Sequence, residues 1–118
     1  MTIKECYESM GADYEDVRRR LMSDDRIARF LRMFKGDLSF ATLTDAMQSG
    51  NAEEAFRAAH SLKGICMNLS LTKPQNAAAA LTEALRGGLI TPDAETLYDR
   101  AKETYEETIR CIACCVNA

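Results

Sequence analysis

Residues 51–69 read NAEEAFRAAHSLKGICMNL, and the spacing within them decides the architecture. Turned at ~100° per residue, Ala55, Ala58, Ala59, Leu62, Ile65, Cys66 and Leu69 fall on one side of a helix. That apolar stripe is broad enough to face a core built from other helices. Glu53, Phe56, Arg57, His60, Lys63, Gly64 and Met67 fall on the other side. Asn51 followed by Glu54 has the form of a capping box, so the helix starts there and runs to about Leu69. The only histidine of the chain, His60, therefore points to solvent from the middle of a rigid element.

Upstream, Ile27, Phe30, Leu31, Phe34, Leu38, Leu43 and Met47 recur at helical intervals. They predict one long amphipathic helix from a Ser23 cap to about Ser49, ended by Gly50. Gly36 sits inside it as a bend, at a cost of about 1 kcal/mol relative to alanine. Asp24 and Asp25 lie in its first turn, where negative charge suits the helix dipole. Asp13 caps a brief helix through Val17 and Leu21, and residues 3–9 read as a short frayed turn. Downstream, Thr72-Lys73-Pro74-Gln75 is a helix start with Thr72 as the cap, and that helix stops at Gly87-Gly88. Thr91-Pro92-Asp93 opens the last helix, which carries Leu97, Ala101, Tyr105, Ile109 and Ile112. No strand-like alternation, repeat or low-complexity linker interrupts the plan. The expected fold is all-α, an antiparallel up-down-up-down four-helix bundle with short extra helical segments at the N-terminus. One domain is expected over residues 1–118, with the bundle core at about 24–115.

The bulk composition narrows the function. At 118 residues the chain buries a core without staples. A net charge of -3 argues against non-specific nucleic-acid binding, which needs a basic surface. No apolar run reaches the length of a membrane span. Met1 to Met10 carries Lys4 and Glu5 and lacks the apolar region of a signal peptide, so a cytoplasmic location is expected. Met1 and the short tail favour a free protein. The five cysteines include Cys111, Cys114 and Cys115 near the C-terminus. A reducing cytosol disfavours disulfides, and the paired spacing of a zinc site is missing. Spacings of three and four residues put these three on one helical face, so core packing is favoured over metal or redox chemistry.

The surroundings of His60 carry the chemistry. Lys63, one turn on, brings an ammonium beside any anion attached to the imidazole. Gly64 is a poor helix residue, and lacking a side chain it leaves a dent through which a second protein can approach. Phe56 and Met67 have two open readings: an apolar docking rim, or residues half-buried against a neighbouring helix. Arg57 and Glu53 are candidates for setting partner choice. Arg18-Arg19-Arg20 reads more simply as a solvated face than as a docking patch.

Ala59-His60-Ser61-Leu62-Lys63-Gly64, followed by Asn68-Leu69, resembles the signature of histidine-containing phosphotransfer domains, whose core reads His-x-Leu-Lys-Gly. The upstream helix with Phe30, Leu31 and Phe34 and the downstream Ala80-Leu81-x-x-Ala84-Leu85-Arg86-x-Gly88 are similar as well, so the resemblance covers roughly residues 13–115. It implies that His60 is the phosphoacceptor, Lys63 compensates phosphate charge and Gly64 gives steric access; Phe56, Arg57 and Met67, read from their place on the same helix face, are the partner-binding candidates. One departure is Ser70, where many members have glycine after the Asn-Leu pair. That puts the local turn in question rather than the phosphotransfer.

The resemblance implies a phosphorelay intermediate that takes a phosphoryl group from the aspartate of one receiver domain and gives it to another. Partners would be response-regulator receiver domains and a hybrid sensor histidine kinase. No cofactor or metal is expected on this chain; Mg2+ would sit on the receiver. No glycine-rich nucleotide loop is present, so neither ATP binding nor autokinase activity is expected. The alternatives are a helical module that docks receiver domains without being phosphorylated, and a thiol-based sensor or metal binder at the C-terminal cysteines. A dimerising histidine domain of a sensor kinase is a nearer competitor. It usually carries an acidic residue directly after the histidine, where this chain has Ser61, and four self-contained helices favour a monomer.

Overall fold

A computed structural model describes residues 1–116 of the chain. Among them run seven helices: α1 (Ile3–Ser9), α2 (Tyr14–Leu21), α3 (Asp24–Lys35), α4 (Ser39–Ser49), α5 (Ala52–Asn68), α6 (Thr72–Leu85) and α7 (Pro92–Cys115). Side-chain oxygens start most of them. Thr2, Asp13, Ser23, Asn51 and Thr91 each accept a first-turn backbone N–H, for α1, α2, α3, α5 and α7 in that order. Each such cap satisfies one of the donors a helix start leaves unpaired.

The bundle follows from the short connections. α5 packs between α4 and α6, α6 packs on α7, and α3 also touches α7. Together α3 and α4 form the first limb, so the expected all-α four-helix bundle with extra N-terminal segments is borne out. Ile27, Leu31, Phe34, Leu43, Leu62, Leu81, Leu85 and Ile112 are buried along its axis. Burying each such side chain contributes about 1.5–3 kcal/mol. The apolar stripe of α5 faces this core, with Ala55, Ala58, Ala59, Leu62 and Cys66 buried.

The structure corrects four expectations. The long helix from Ser23 to Ser49 is broken: α3 ends at the Gly36 cap, and α4 starts behind Leu38. The Asp37 carboxylate accepts the Ser39 N–H at 2.8 Å, so a side chain takes the donor that a continuing helix would use. The break lets Phe40 stack on Tyr105 and Tyr98 of α7, at 4.3 and 5.9 Å between ring centroids. Leu38, in register with the core positions by spacing, is 73% exposed.

The segment expected as a frayed turn is a capped helix, with Cys6 and Tyr7 fully buried. The start of α6 lies one residue earlier than expected. Leu71, not Thr72, is its cap residue, because Leu71 is buried in the core and gives its carbonyl to the Gln75 N–H. The C-terminal cysteines do not share a core face: Cys114 is exposed, Cys111 is half-buried, and Cys115 is disulfide-paired with Cys6. α1 packs on α7, and one side of the last stretch of α7 stays open to solvent, with Ala113 and Cys114 exposed. No helix of the described residues is long and apolar enough to cross a membrane.

Candidate functional site

α5 sets the site by its periodicity. With the stripe from Ala55 to Cys66 turned inward, residues 53, 57, 60 and 67 face out exposed, and Lys63 and Gly64, half-buried, complete the strip between them. His60 stands in its middle, exposed, and forms no hydrogen bond among the described residues. Its ring lies parallel to that of Phe56 one turn earlier, centroids 6.3 Å apart and planes 5° apart. Phe56 is half-buried against α6, where the Arg86 guanidinium stands over its ring at 5.2 Å. Arg86 is in turn gripped by a forked pair to Glu83, at 2.8 and 3.1 Å. A chain of planar groups thus orders one flank of the imidazole. Arg86, and to a smaller degree Lys63, holds the Glu83 carboxyl below its usual range.

The cation and the opening sit one turn further along. Lys63 is half-buried and forms no ion pair among the described residues, so its ammonium is uncommitted. A Cβ built on Gly64 would meet nothing within 4 Å. No packing inside the chain calls for a glycine at this point, although a helix-interior glycine costs roughly 0.5–1 kcal/mol relative to alanine. The dent at Gly64 therefore faces outward, toward whatever meets His60. Met67, three residues on, is 45% exposed. Of the two open readings, Met67 fits an exposed rim and Phe56 is the half-buried one. Arg57 is engaged at 2.9 Å by both Glu53 and Glu54, so its charge is already compensated. Exposed pairs of this kind add little to stability.

Two features escaped the sequence reading. A groove of about 380 Å³ runs between α3 and the last turns of α5, lined by Phe30, Met33, Phe34, Ile65 and Leu69 with Arg20 and Asp37 at its edge. A shallower one of about 360 Å³ follows the α4 side, past Leu38, Thr42, Arg57 and Ser61. Gly36-Asp37 was the available signal, since a break there moves Leu38 out of the core register. Arg86 at the end of α6 left no such signal.

The C-terminal end of α5 is tied down by residues far away in the chain. The Tyr7 hydroxyl donates to the Leu69 carbonyl at 2.8 Å, and burial pushes the Tyr7 phenol up from its ordinary value. Arg20 donates to the Met67 and Asn68 carbonyls and to Ser70 Oγ, so it caps the helix while remaining, like Arg18 and Arg19, exposed to solvent. Ser70, where glycine would be common, has φ +55° and is buried. Its hydroxyl donates to Asp16 Oδ2 at 2.6 Å, which compensates the left-handed backbone. Those Ser70 and Arg20 hydrogen bonds hold the Asp16 carboxyl below the usual carboxylate range. Among the described residues no group of three or more His, Cys, Asp or Glu side chains is arranged to hold a metal ion.

Comparison with known families now bears on this geometry. The model of the Hpt domain matches residues 29–110, which take in most of α3, all of α4, α5 and α6, and most of α7. Neither the curated proteins nor the solved structures yield a match. The matched region holds His60, Lys63 and Gly64 and amounts to well over half of the chain. The chain belongs to the Hpt domain family, whose members act as phosphotransfer carriers in two-component signalling and not as kinases.

Proposed function

We propose that this chain is a phosphorelay intermediate. It takes a phosphoryl group onto His60 from the aspartyl-phosphate of one response-regulator receiver domain and delivers it to the aspartate of another. A hybrid sensor histidine kinase is the source upstream. The observation that carries the reading is the pairing of an exposed, unbonded imidazole with a helix-interior glycine that nothing inside the chain requires.

An imidazole is partly uncharged near neutral pH, so a nitrogen lone pair is available. The ring nitrogen farther from the backbone attacks phosphorus, a P–N bond forms, and the P–O bond to the receiver's carboxylate breaks. Delivery is the reverse step at a second receiver. Phosphoryl transfer asks mainly for alignment and charge compensation. Alignment comes from α5, pinned at its start by Asn51 and at its end by Tyr7 and Arg20. Compensation comes from Lys63, which forms no ion pair among the described residues, whereas Arg57 is held by Glu53 and Glu54. Magnesium is assigned to the receiver, since Glu53, the acidic residue on the same strip, is paired with Arg57. The reading assigns no ATP binding to the chain and takes it as a cytoplasmic monomer.

The relay is tested with two receivers. One is phosphorylated and freed of its kinase, and the second is added with or without the chain. Label should reach the second receiver in the presence of the native chain and fail to do so with His60→Gln. Passage supported equally by His60→Gln would leave a docking module and remove the carrier.

A further inference from the structure

The sulfurs that phosphotransfer leaves unused gather where the two ends of the chain meet. α1 lies on the last turns of α7. There Cys6, fully buried, is disulfide-paired with Cys115 across 109 residues of sequence, with Cα atoms 6.1 Å apart. That separation falls within the range a disulfide needs. Cys111, one turn before Cys115, is a free thiol 3.0 Å from Ser9 Oγ, and its carbonyl lies 4.0 Å from Cys6 Sγ. The Met1 sulfur lies 3.2 Å from Cys115 Sγ. The facing surfaces of α1 and α7 are thus lined with sulfur.

Pairing sets Cys6 and Cys115 apart from the other cysteines, which are free thiols. Cys66 is sealed in the core, where burial pushes its thiol up to about 12 and keeps it protonated and inert. Cys114 is exposed and has no partner sulfur. Cys115 is half-buried, so a small reagent reaches it, while Cys6 waits behind it in the dry interior. The pair also has a downstream contact. α1 carries Tyr7, whose hydroxyl holds the Leu69 carbonyl, and the segment after α1 sends the Asp13 N–H to the Ser70 carbonyl. Whatever fastens α1 therefore also fastens the turn that ends α5.

We infer that Cys6 and Cys115 form a reversible redox staple, made and broken by exchange with low-molecular-weight thiols and disulfides, that holds α1 on α7 and so stiffens the end of the histidine helix. In the forward direction the Cys115 thiol loses its proton and its sulfur attacks a small disulfide, RSSR. The S–S bond breaks, and the departing RS⁻ takes up that proton as RSH. The Cys6 sulfur, deprotonated in turn, attacks Cys115 Sγ of the mixed disulfide and releases the second RSH. Two cysteine thiols are oxidised, one RSSR is reduced to two RSH, and reduction is the same path reversed. The inference stands whether or not His60 carries phosphate.

The test uses the full chain in glutathione buffers from fully reduced to fully oxidised, quenched in acid, with thiols counted by alkylation after unfolding. Five thiols are expected in the reduced chain and three in the oxidised one, with the bridge mapped to the peptides of Cys6 and Cys115. The oxidised form should melt higher by on the order of 10 °C. Cys115→Ser should abolish that difference, and Cys111→Ser should keep it. Amide exchange at Leu69, Ser70 and Leu71 should be about tenfold faster in the reduced chain. Five free thiols at every poise, a bridge mapped to other cysteines, or equal melting in both states would overturn the staple. Unchanged exchange at those three amides would overturn its coupling to α5.

Discussion

The middle of α5 and its C-terminal end belong to one helix, yet they are built on opposite principles. Around His60 polar and steric capacity is left unused: among the described residues the imidazole is unbonded, Lys63 forms no ion pair, and Gly64 opens onto empty space. Around Leu69 and Ser70 almost nothing is left unused. Tyr7, Asp13, Asp16 and Arg20 converge on that turn from α1, α2 and the segment between them. The difference teaches where a carrier spends its stability. On the proposed reading, the reacting group is kept free of internal partners so that a second protein supplies them, and the helix bearing it is tied down from a distance.

The largest expected effect comes from filling the opening. A Cβ on Gly64 meets nothing within 4 Å, so with Gly64→Leu folding stability should hold or rise slightly as a better helix former replaces glycine. Phosphoryl transfer from a receiver should slow by about 100-fold, equivalent to about 2.7 kcal/mol of barrier, because the partner no longer seats against His60. Single-turnover transfer and urea melts of the same variant check both halves. A large loss of stability with unchanged transfer would mean that the glycine serves the fold.

The reverse pattern is expected at the clamp. Tyr7→Phe strips the Leu69 carbonyl of a buried donor and should cost about 1–3 kcal/mol in denaturant unfolding. Transfer measured well below the melting temperature should be unchanged. A transfer defect matching that of the Gly64 variant would erase the distinction between the two regions.

Lys63→Ala is expected to slow transfer by about tenfold, or about 1.4 kcal/mol, while leaving the urea midpoint in place. An unaltered transfer rate would remove Lys63 from the phosphoryl group. The smallest effect concerns Asp16, whose carboxyl is held low by Ser70 and Arg20. A depressed folded value means that the native state binds fewer protons than the unfolded one. Its contribution is therefore complete above about pH 4, near the ordinary aspartate value, and is lost as pH falls through the lower native value. Unfolding curves of native chain and Asp16→Asn should separate at neutral pH and converge in acid. Parallel curves down to low pH would contradict the Ser70–Asp16 tie.

Legibility in the sequence divided along the same line. The course of α5 and the outward placement of His60, Lys63 and Gly64 were readable, because local periodicity and the Asn51 cap determine them. The clamp was not. Ser70 could be marked as the odd residue at the helix end, but its partners Asp16 and Arg20 lie 54 and 50 residues away. The burial of Cys6 and Tyr7 is likewise a tertiary fact that a seven-residue helix cannot announce. The break between α3 and α4 was hidden because Leu38 keeps the apolar register while Asp37 ends the hydrogen-bond ladder. The Cys6–Cys115 pairing was beyond reach for the same reason as the clamp: its halves are at opposite ends of the chain.

The central claim is that the exposed face of α5 presents His60, and no other residue, to a phosphorylated receiver. It is tested most directly by phosphorylating the full chain from a receiver and locating the phosphoryl group by fragmentation under alkaline conditions, beside the His60→Gln variant. The account predicts one acid-labile, alkali-stable phosphate on His60 and none on the variant. Phosphate found on another residue, or retained by His60→Gln, would contradict it.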